Sequence, residues 1–138
     1  MNATQMKEAV AEPEQEIHVL RDPTRGGVAS SLNEIAAKSQ VGITIDERKL
    51  SVNSEVQSAC EILEMDPIYV ANEGKLAIVA RDAAEQVLAV MRAHPLGQRA
   101  AIIGQVTDQN VSLLVAKTGI GGTRVIPMQI GEQLPRIC

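Results

Sequence analysis

The sequence predicts an α+β domain, a mixed and largely antiparallel sheet packed with helices. Three observations carry that prediction. Segments with helical period and segments with strand period interleave through residues 17–99 without strict alternation. From residue 100 onward the chain is strand-rich, with turn residues between the apolar runs. Hydrophobic residues make up 45% of the 138, enough to build the core of one domain.

Residues 1–16 are polar and acidic, and Pro13 interrupts any helix there. They read as a lead-in or as the remnant of an interdomain segment. Residues 17–20 suit a short strand, and Asp22-Pro23-Thr24-Arg25-Gly26-Gly27 a turn. A helix follows over 27–39, because Val28, Leu32, Ile35 and Ala36 fall on one helical stripe. Residues 41–46 alternate, with Ile43 and Ile45 on one face of a strand. Asn53 or Ser54 caps a second helix through Met65, with Val56, Cys60 and Leu63 as its inner stripe, and Asp66-Pro67 ends it.

After the Asn72-Glu73-Gly74 turn, residues 75–80 form an apolar strand. Asp82 opens a third helix with Val87, Leu88 and Met91 facing in, and Pro95 and Gly97 break it. Strands follow over 100–106, 111–116 and 124–128. Asp108-Gln109-Asn110 and Gly119-Ile120-Gly121-Gly122 read as the hairpin turns between them. The body of the domain is residues 17–127, and residues 128–138 read as a mobile tail.

Composition narrows the function. The chain has no Phe, no Trp and one tyrosine, Tyr69, so Ile, Val, Leu, Ala and Met must fill the core. Base-stacking platforms need aromatic rings, which argues against a single-stranded nucleic-acid binder. The net charge is -4 and no run of Lys or Arg occurs, so neither nucleic acid nor an anionic membrane is an expected partner. No apolar stretch approaches the roughly 18 residues that suggest a bilayer span. The expected location is the cytoplasm. Cys60 and Cys138 are therefore expected as free thiols. His18 and His94 stand apart, so no zinc site is expected within the chain.

Four segments are candidates for chemistry. Asp22-Pro23-Thr24-Arg25-Gly26-Gly27 lies between a strand and a helix. Paired glycines permit close backbone approach, a helix N-terminus attracts anions, and Arg25 carries a phosphate-gripping fork. An ordinary glycine turn explains the same spacing equally well, and the Gly-Lys-Ser/Thr ending of a P-loop is absent. Asn72-Glu73-Gly74-Lys75 offers a general base in Glu73, although the pattern alone favours a surface turn with solvated charges. For Gly119-Ile120-Gly121-Gly122 a flexible hairpin outweighs a phosphate cradle. Cys60 sits on an apolar stripe and reads as a core residue.

Cys138 is the fourth candidate. It follows Pro135, which stiffens the approach, and Arg136, whose charge offsets the terminal carboxylate that otherwise raises the thiol pKa. The last ten residues, at about 3.3 Å each, span roughly 33 Å when extended. Such a segment can carry a sulfur-bound group between sites.

Pro135-Arg136-Ile137-Cys138, together with the segments 22–27 and 72–75, resembles the hydrogenase maturation protein HypE family. These are the carbamoyl dehydratases of NiFe-hydrogenase assembly, relatives of aminoimidazole ribonucleotide synthetase. The likeness runs in order through residues 17–138, and only the second, C-terminal domain of the family is represented. It implies a fold like the C-terminal domain of that synthetase.

The resemblance also implies a reaction. A carbamoyl group on the Cys138 sulfur is dehydrated with ATP to a thiocyanate, the source of the cyanide ligands on iron. Cys138 and Glu73 are then the catalytic candidates. Asp22, Thr24, Arg25, Gly26, Gly27 and Asn72 lie close to substrate or nucleotide. ATP and Mg2+ are implied as cofactors, held mainly by the N-terminal domain missing here. The implied partners are the carbamoyltransferase HypF and the HypC-HypD scaffold complex, with a homodimer for the whole protein. Two alternatives stay open: a carrier or docking module that presents a modified cysteine, or another ATP-dependent activity of the same superfamily.

Overall fold

The computed structural model describes residues 17–71 and 74–129. Asn72, Glu73 and Cys138 lie outside the described residues. Helices and strands mix as the sequence predicts, and the chain forms two compact units.

One unit holds residues 17–21 and 75–102 among those described. Strand β1 (Ile17–Arg21) pairs antiparallel with β3 (Leu76–Val79), with a register irregularity between Ile17 and Val19. Helix α3 (Ala84–Ala93) belongs to the same unit. Its apolar cluster centres on Ile17, Ala83 and Val87, with Leu20, Ala77, Val79, Ala80 and Met91 packed around them. The helix begins two residues later than the sequence suggests. Asp82 lies in the turn before it, and Ala83 is buried at the start. A 3-10 turn, Pro95–Gly97, ends this segment.

The second unit contains residues 22–71, 74 and 103–129 of the described chain. Helix α1 (Gly27–Ser39) spans the expected range. Strands β2 (Gly42–Asp46), β4 (Gly104–Thr107), β5 (Leu114–Lys117) and β6 (Thr123–Val125) form one sheet in the order β4-β2-β5-β6. All four strands run shorter than the sequence periodicity suggests, and β2 and β5 are the one parallel pair among the described residues. Ile43, Ile45, Leu114 and Ala116 are buried on one face of this sheet, and Ala29, Leu32, Ile35 and Ala36 are the buried stripe of α1. Burial at about 25 cal/mol per Å² makes such aliphatic packing the main stabilising term.

Two expectations are corrected here. Asp108-Gln109-Asn110 does not close a hairpin, because β2 lies between β4 and β5. Polar turn residues mark a change of direction but not which strands become neighbours. Gly119-Ile120-Gly121-Gly122 does close one, between the antiparallel β5 and β6.

Helix α2 (Ser54–Ile62) also stops short of Met65. Glu64 takes a left-handed φ of 53, the Met65 N–H bonds the Cys60 carbonyl at 2.8 Å, and the Glu64 N–H bonds that of Glu61 at 3.4 Å. This is the six-to-one and five-to-two closure that ends many helices, here without the usual glycine. Of the predicted inner stripe only Cys60 is buried. Val56 is 40% exposed and Leu63 59%.

Candidate functional site

The loop before α1 is built from short backbone bonds. The Thr24 N–H donates to the Asp22 carbonyl at 2.9 Å, and the Gly27 N–H to that of Thr24 at 3.3 Å. Pro23 is fully buried and pins the loop, while Asp22, Thr24 and Arg25 face solvent. The Ser30 N–H then reaches the Gly26 carbonyl at 3.1 Å, which starts the helix. The N-cap residue, Gly26, brings no side-chain cap to α1. A helix N-terminus presents N–H groups and the positive end of its dipole to an anion.

Gly27 sets where this loop can lie. Its φ is 62, and a Cβ added there lies 2.6 Å from the carbonyl oxygens of both Ile68 and Val70 and 2.9 Å from the Tyr69 carbonyl carbon. Only a residue without a side chain permits that approach. The first helical residue of α1 is thereby pressed against the backbone of a second turn, Pro67–Tyr69.

That second turn has its own supports. The Asp66 side chain accepts the Ile68 N–H at 3.1 Å, and Pro67 takes the first position, where no N–H is needed. Ile68 is buried at 3% exposure. The other Asp66 oxygen accepts from Arg124 at 2.6 Å, and the Arg124 Nε donates to Glu47. One guanidinium on β6 thus ties the turn to the 3-10 segment Glu47–Lys49. The Tyr69 hydroxyl donates to the Pro127 carbonyl at 3.0 Å. Burial raises the Tyr69 pKa, the Asp66 charge adds to the rise and Arg124 opposes it. The phenol therefore keeps its proton at neutral pH and remains a donor.

The chain next to Pro127 is fixed as well. Ile126 is fully buried, and its N–H bonds the Leu114 carbonyl at 2.8 Å. Its carbonyl accepts from the buried Asn33 amide at 3.0 Å, and the same amide reaches Ala29 O at 2.9 Å. Such pairing is what a buried polar side chain requires.

The structure thus seats Gly27, the last residue of segment 22–27, on residues 68–70, two positions short of Asn72. Asn72, Glu73 and Cys138, named from the sequence, lie outside the described residues. Sequence reasoning missed Asp66, Tyr69, Arg124 and Asn33. One signal was present: Asp-Pro stops a helix, but Asp before Pro is also the start of a new helical turn.

The family model described as "AIR synthase related protein, C-terminal domain" matches residues 1–116. A carbamoyl dehydratase HypE of Rhizobium leguminosarum bv. viciae is 52% identical over 123 residues, 88% of this chain and 35% of that protein. The chain therefore spans about a third of that relative's length. Among solved structures, HypE of Escherichia coli superposes with a TM-score of 0.84 at 41% identity, covering 97% of this chain and 41% of that one. A HypE in complex with ATP gives 0.81 at 46%, covering 88% and 38%. A HypE–HypF complex gives 0.78 at 44%, covering 89% and 39%.

Proposed function

The chain belongs to the AIR synthase related C-terminal domain family, and from that premise we propose that it is the thiol-bearing domain of a carbamoyl dehydratase serving hydrogenase maturation. The observation that carries this reading is 52% identity to a carbamoyl dehydratase across 88% of the chain. The ending Pro135-Arg136-Ile137-Cys138 supports it.

In this reading a carbamoyl group is loaded onto the Cys138 sulfur by HypF, the protein with which a similar HypE was solved. The carbamoyl oxygen accepts the γ-phosphoryl group of ATP, giving ADP and an oxygen that leaves as phosphate. Glu73 takes one proton from the nitrogen, the second leaves with the phosphate as the carbon–oxygen bond breaks, and the carbon–nitrogen triple bond of a thiocyanate forms. Phosphorylation makes the step accessible because it turns a poor leaving group into a good one. Cyanide then passes to iron on a HypC-HypD scaffold. Asn72 orients the amide.

The nucleotide fits what the residues offer. The start of α1, whose N-cap is Gly26, with exposed Thr24 and Arg25 beside it, is suited to phosphate oxygens, with Asp22 adjacent. ATP and Mg2+ are held mainly by a preceding domain, so the 138-residue chain alone should not hydrolyse ATP. The whole protein works as a cytoplasmic homodimer.

The test is mass spectrometry of the full-length protein with its carbamoyl donor system. Cys138 should gain a carbamoyl group and then, with ATP, lose one water, and Cys138→Ser should abolish both. Glu73→Ala should load the carbamoyl group and stop there. Normal thiocyanate formation by that variant would make the domain a carrier. No adduct on Cys138 at all would end the reading.

A further inference from the structure

We propose that helix α2 is a docking surface for HypF, and that the HypF face seated on it has an apolar centre rimmed by Lys or Arg. The inference rests on the function proposed above, in which HypF must reach this protein to load a carbamoyl group. HypF is the candidate because a similar HypE was solved in complex with it.

The helix is amphipathic, and its apolar side is mostly open. At about 100° per residue, Ala59, Leu63, Val56 and Cys60 fall within an arc of about 100°, with Ile62 beside it. Of these only Cys60, at one edge of the arc, is buried. Ile62 is 81% exposed, Leu63 59% and Val56 40%. Helix α2 meets the rest of its unit chiefly at the turn Pro67–Tyr69. Isolated helices shorter than about 12–15 residues are marginal in water, and most helical stability in proteins comes from packing an apolar face. This helix has nine residues and one buried side chain, so it has little of that support from its own unit. A partner that covers the open arc supplies the rest.

The charge around the arc selects the partner. Residues 51–65 contain Glu55, Glu61 and Glu64 and no Lys, Arg or His. All three carboxylates are exposed. The Ser54 hydroxyl donates to Glu55 at 3.1 Å and the Gln57 amide to Glu61 at 3.0 Å, both neutral groups. Among the described residues no cation pairs with any of the three. An apolar centre with a rim of one sign favours a partner of the opposite sign and rejects one of the same sign. Two copies of α2 laid together oppose like charges, which disfavours a second copy and selects a basic face.

Three readouts on the full-length protein and purified HypF test this. In hydrogen exchange, the amides of residues 55–65 should exchange fast in the full-length protein alone and slow by about tenfold or more when HypF is added. In calorimetric titration, Ile62→Ser combined with Leu63→Ser should weaken HypF binding by about tenfold or more, the loss expected for apolar anchors at an interface centre. The melting temperature should be nearly kept, because both side chains are exposed. Glu61→Gln combined with Glu64→Gln should slow association by roughly threefold or more at low salt, and the difference should shrink as salt is added.

Wild-type affinity and association in both double variants overturn the proposal and leave the proposed function intact. Unchanged association in the charge variant alone overturns the basic rim. Protection of α2 before HypF is added overturns the docking surface: protection independent of protein concentration assigns the cover to a preceding domain, and protection that grows with concentration assigns it to a second copy. A full-length protein that HypF neither binds nor carbamoylates overturns the proposed function, and this proposal with it.

Discussion

Two glycine-rich loops of this chain have similar composition and opposite situations. Gly27 lies under the backbone of residues 68–70, so closely that a methyl group there lands within 2.6 Å of two carbonyl oxygens. Gly119-Ile120-Gly121-Gly122 closes the β5–β6 hairpin, with Ile120 98% exposed and nothing within 4 Å of a Cβ at Gly121. Gly27 is there because another segment must come close. The second loop is there because the chain must turn. Glycine content alone does not separate a loop that joins candidate functional segments from one that merely reverses direction; the neighbour of the absent side chain does.

The largest effect expected from this difference is at Gly27. Gly27→Ala combines a left-handed backbone with a clash against main-chain atoms that cannot rotate away. Strain and overpacking each cost about 1–3 kcal/mol, so a loss of about 3 kcal/mol or more is expected in denaturant unfolding. A change below about 1 kcal/mol would mean that the contact with residues 68–70 is loose, and the contrast between the two loops would fail.

Asp66→Ala tests the support of that contact from the far side. It removes the acceptor for the Ile68 N–H and one partner of Arg124. A lost cap costs about 1 kcal/mol. The ion pair, with 43% and 30% of its two side chains exposed, adds at most about 1 kcal/mol. Asp66→Asn keeps an acceptor and should recover the cap portion. Equal losses for the two variants would assign the effect to charge rather than to the turn.

The strongest periodic signals were legible in the sequence. Helix α1 spans the predicted residues with Leu32, Ile35 and Ala36 of its stripe buried, although Ala29 takes the buried place expected of Val28, and Cys60 is buried as its position on a stripe predicts. The turn between β5 and β6 was legible because strands adjacent in sequence also pair. What failed depends on long-range geometry. That β2 inserts between β4 and β5 is decided by the packing of a distant strand, and no local residue reports it. The end of α2 was hidden because glutamate, not glycine, adopts the left-handed closing position. The candidate site was half legible: residues 22–27 announce themselves by composition, whereas Asp66, Tyr69, Arg124 and Asn33 act through partners 58 or 93 residues away.

A smaller effect concerns the ion pair next to the free hairpin. Arg48 donates to both oxygens of Asp46 at 3.0 and 2.7 Å, and its side chain is the nearest neighbour of Gly119. The Arg48 side-chain bonds pull the Asp46 pKa from 3.8 to about 2, with burial opposing them. A depressed carboxylate pKa contributes stability above the unfolded value that is lost as pH falls through the folded one. The contribution should therefore be complete above pH 3.8 and fade toward pH 2. Titration by NMR should place the Asp46 midpoint near 2, and Arg48→Ala should return it toward 3.8. A midpoint already near 3.8 in the wild type would show that the pair does not persist in solution.

The smallest effect, with the opposite sign to the first, is at Gly119. A Cβ there meets only the Arg48 Cγ, at an ordinary 3.9 Å, and its backbone is outside the left-handed region. Gly119→Ala then restricts the unfolded chain more than it disturbs the folded one, which stabilises by about 0.4–1 kcal/mol where the backbone is compatible. Gly121, two residues on, has a φ of 88, so Gly121→Ala is expected to cost about 1 kcal/mol of backbone strain with no clash at all. Measured together by denaturant unfolding, the three alanine variants should rank Gly27 far below Gly121, and Gly121 below Gly119. A Gly119→Ala loss as large as that at Gly27 would mean that the hairpin, too, is pressed against a partner.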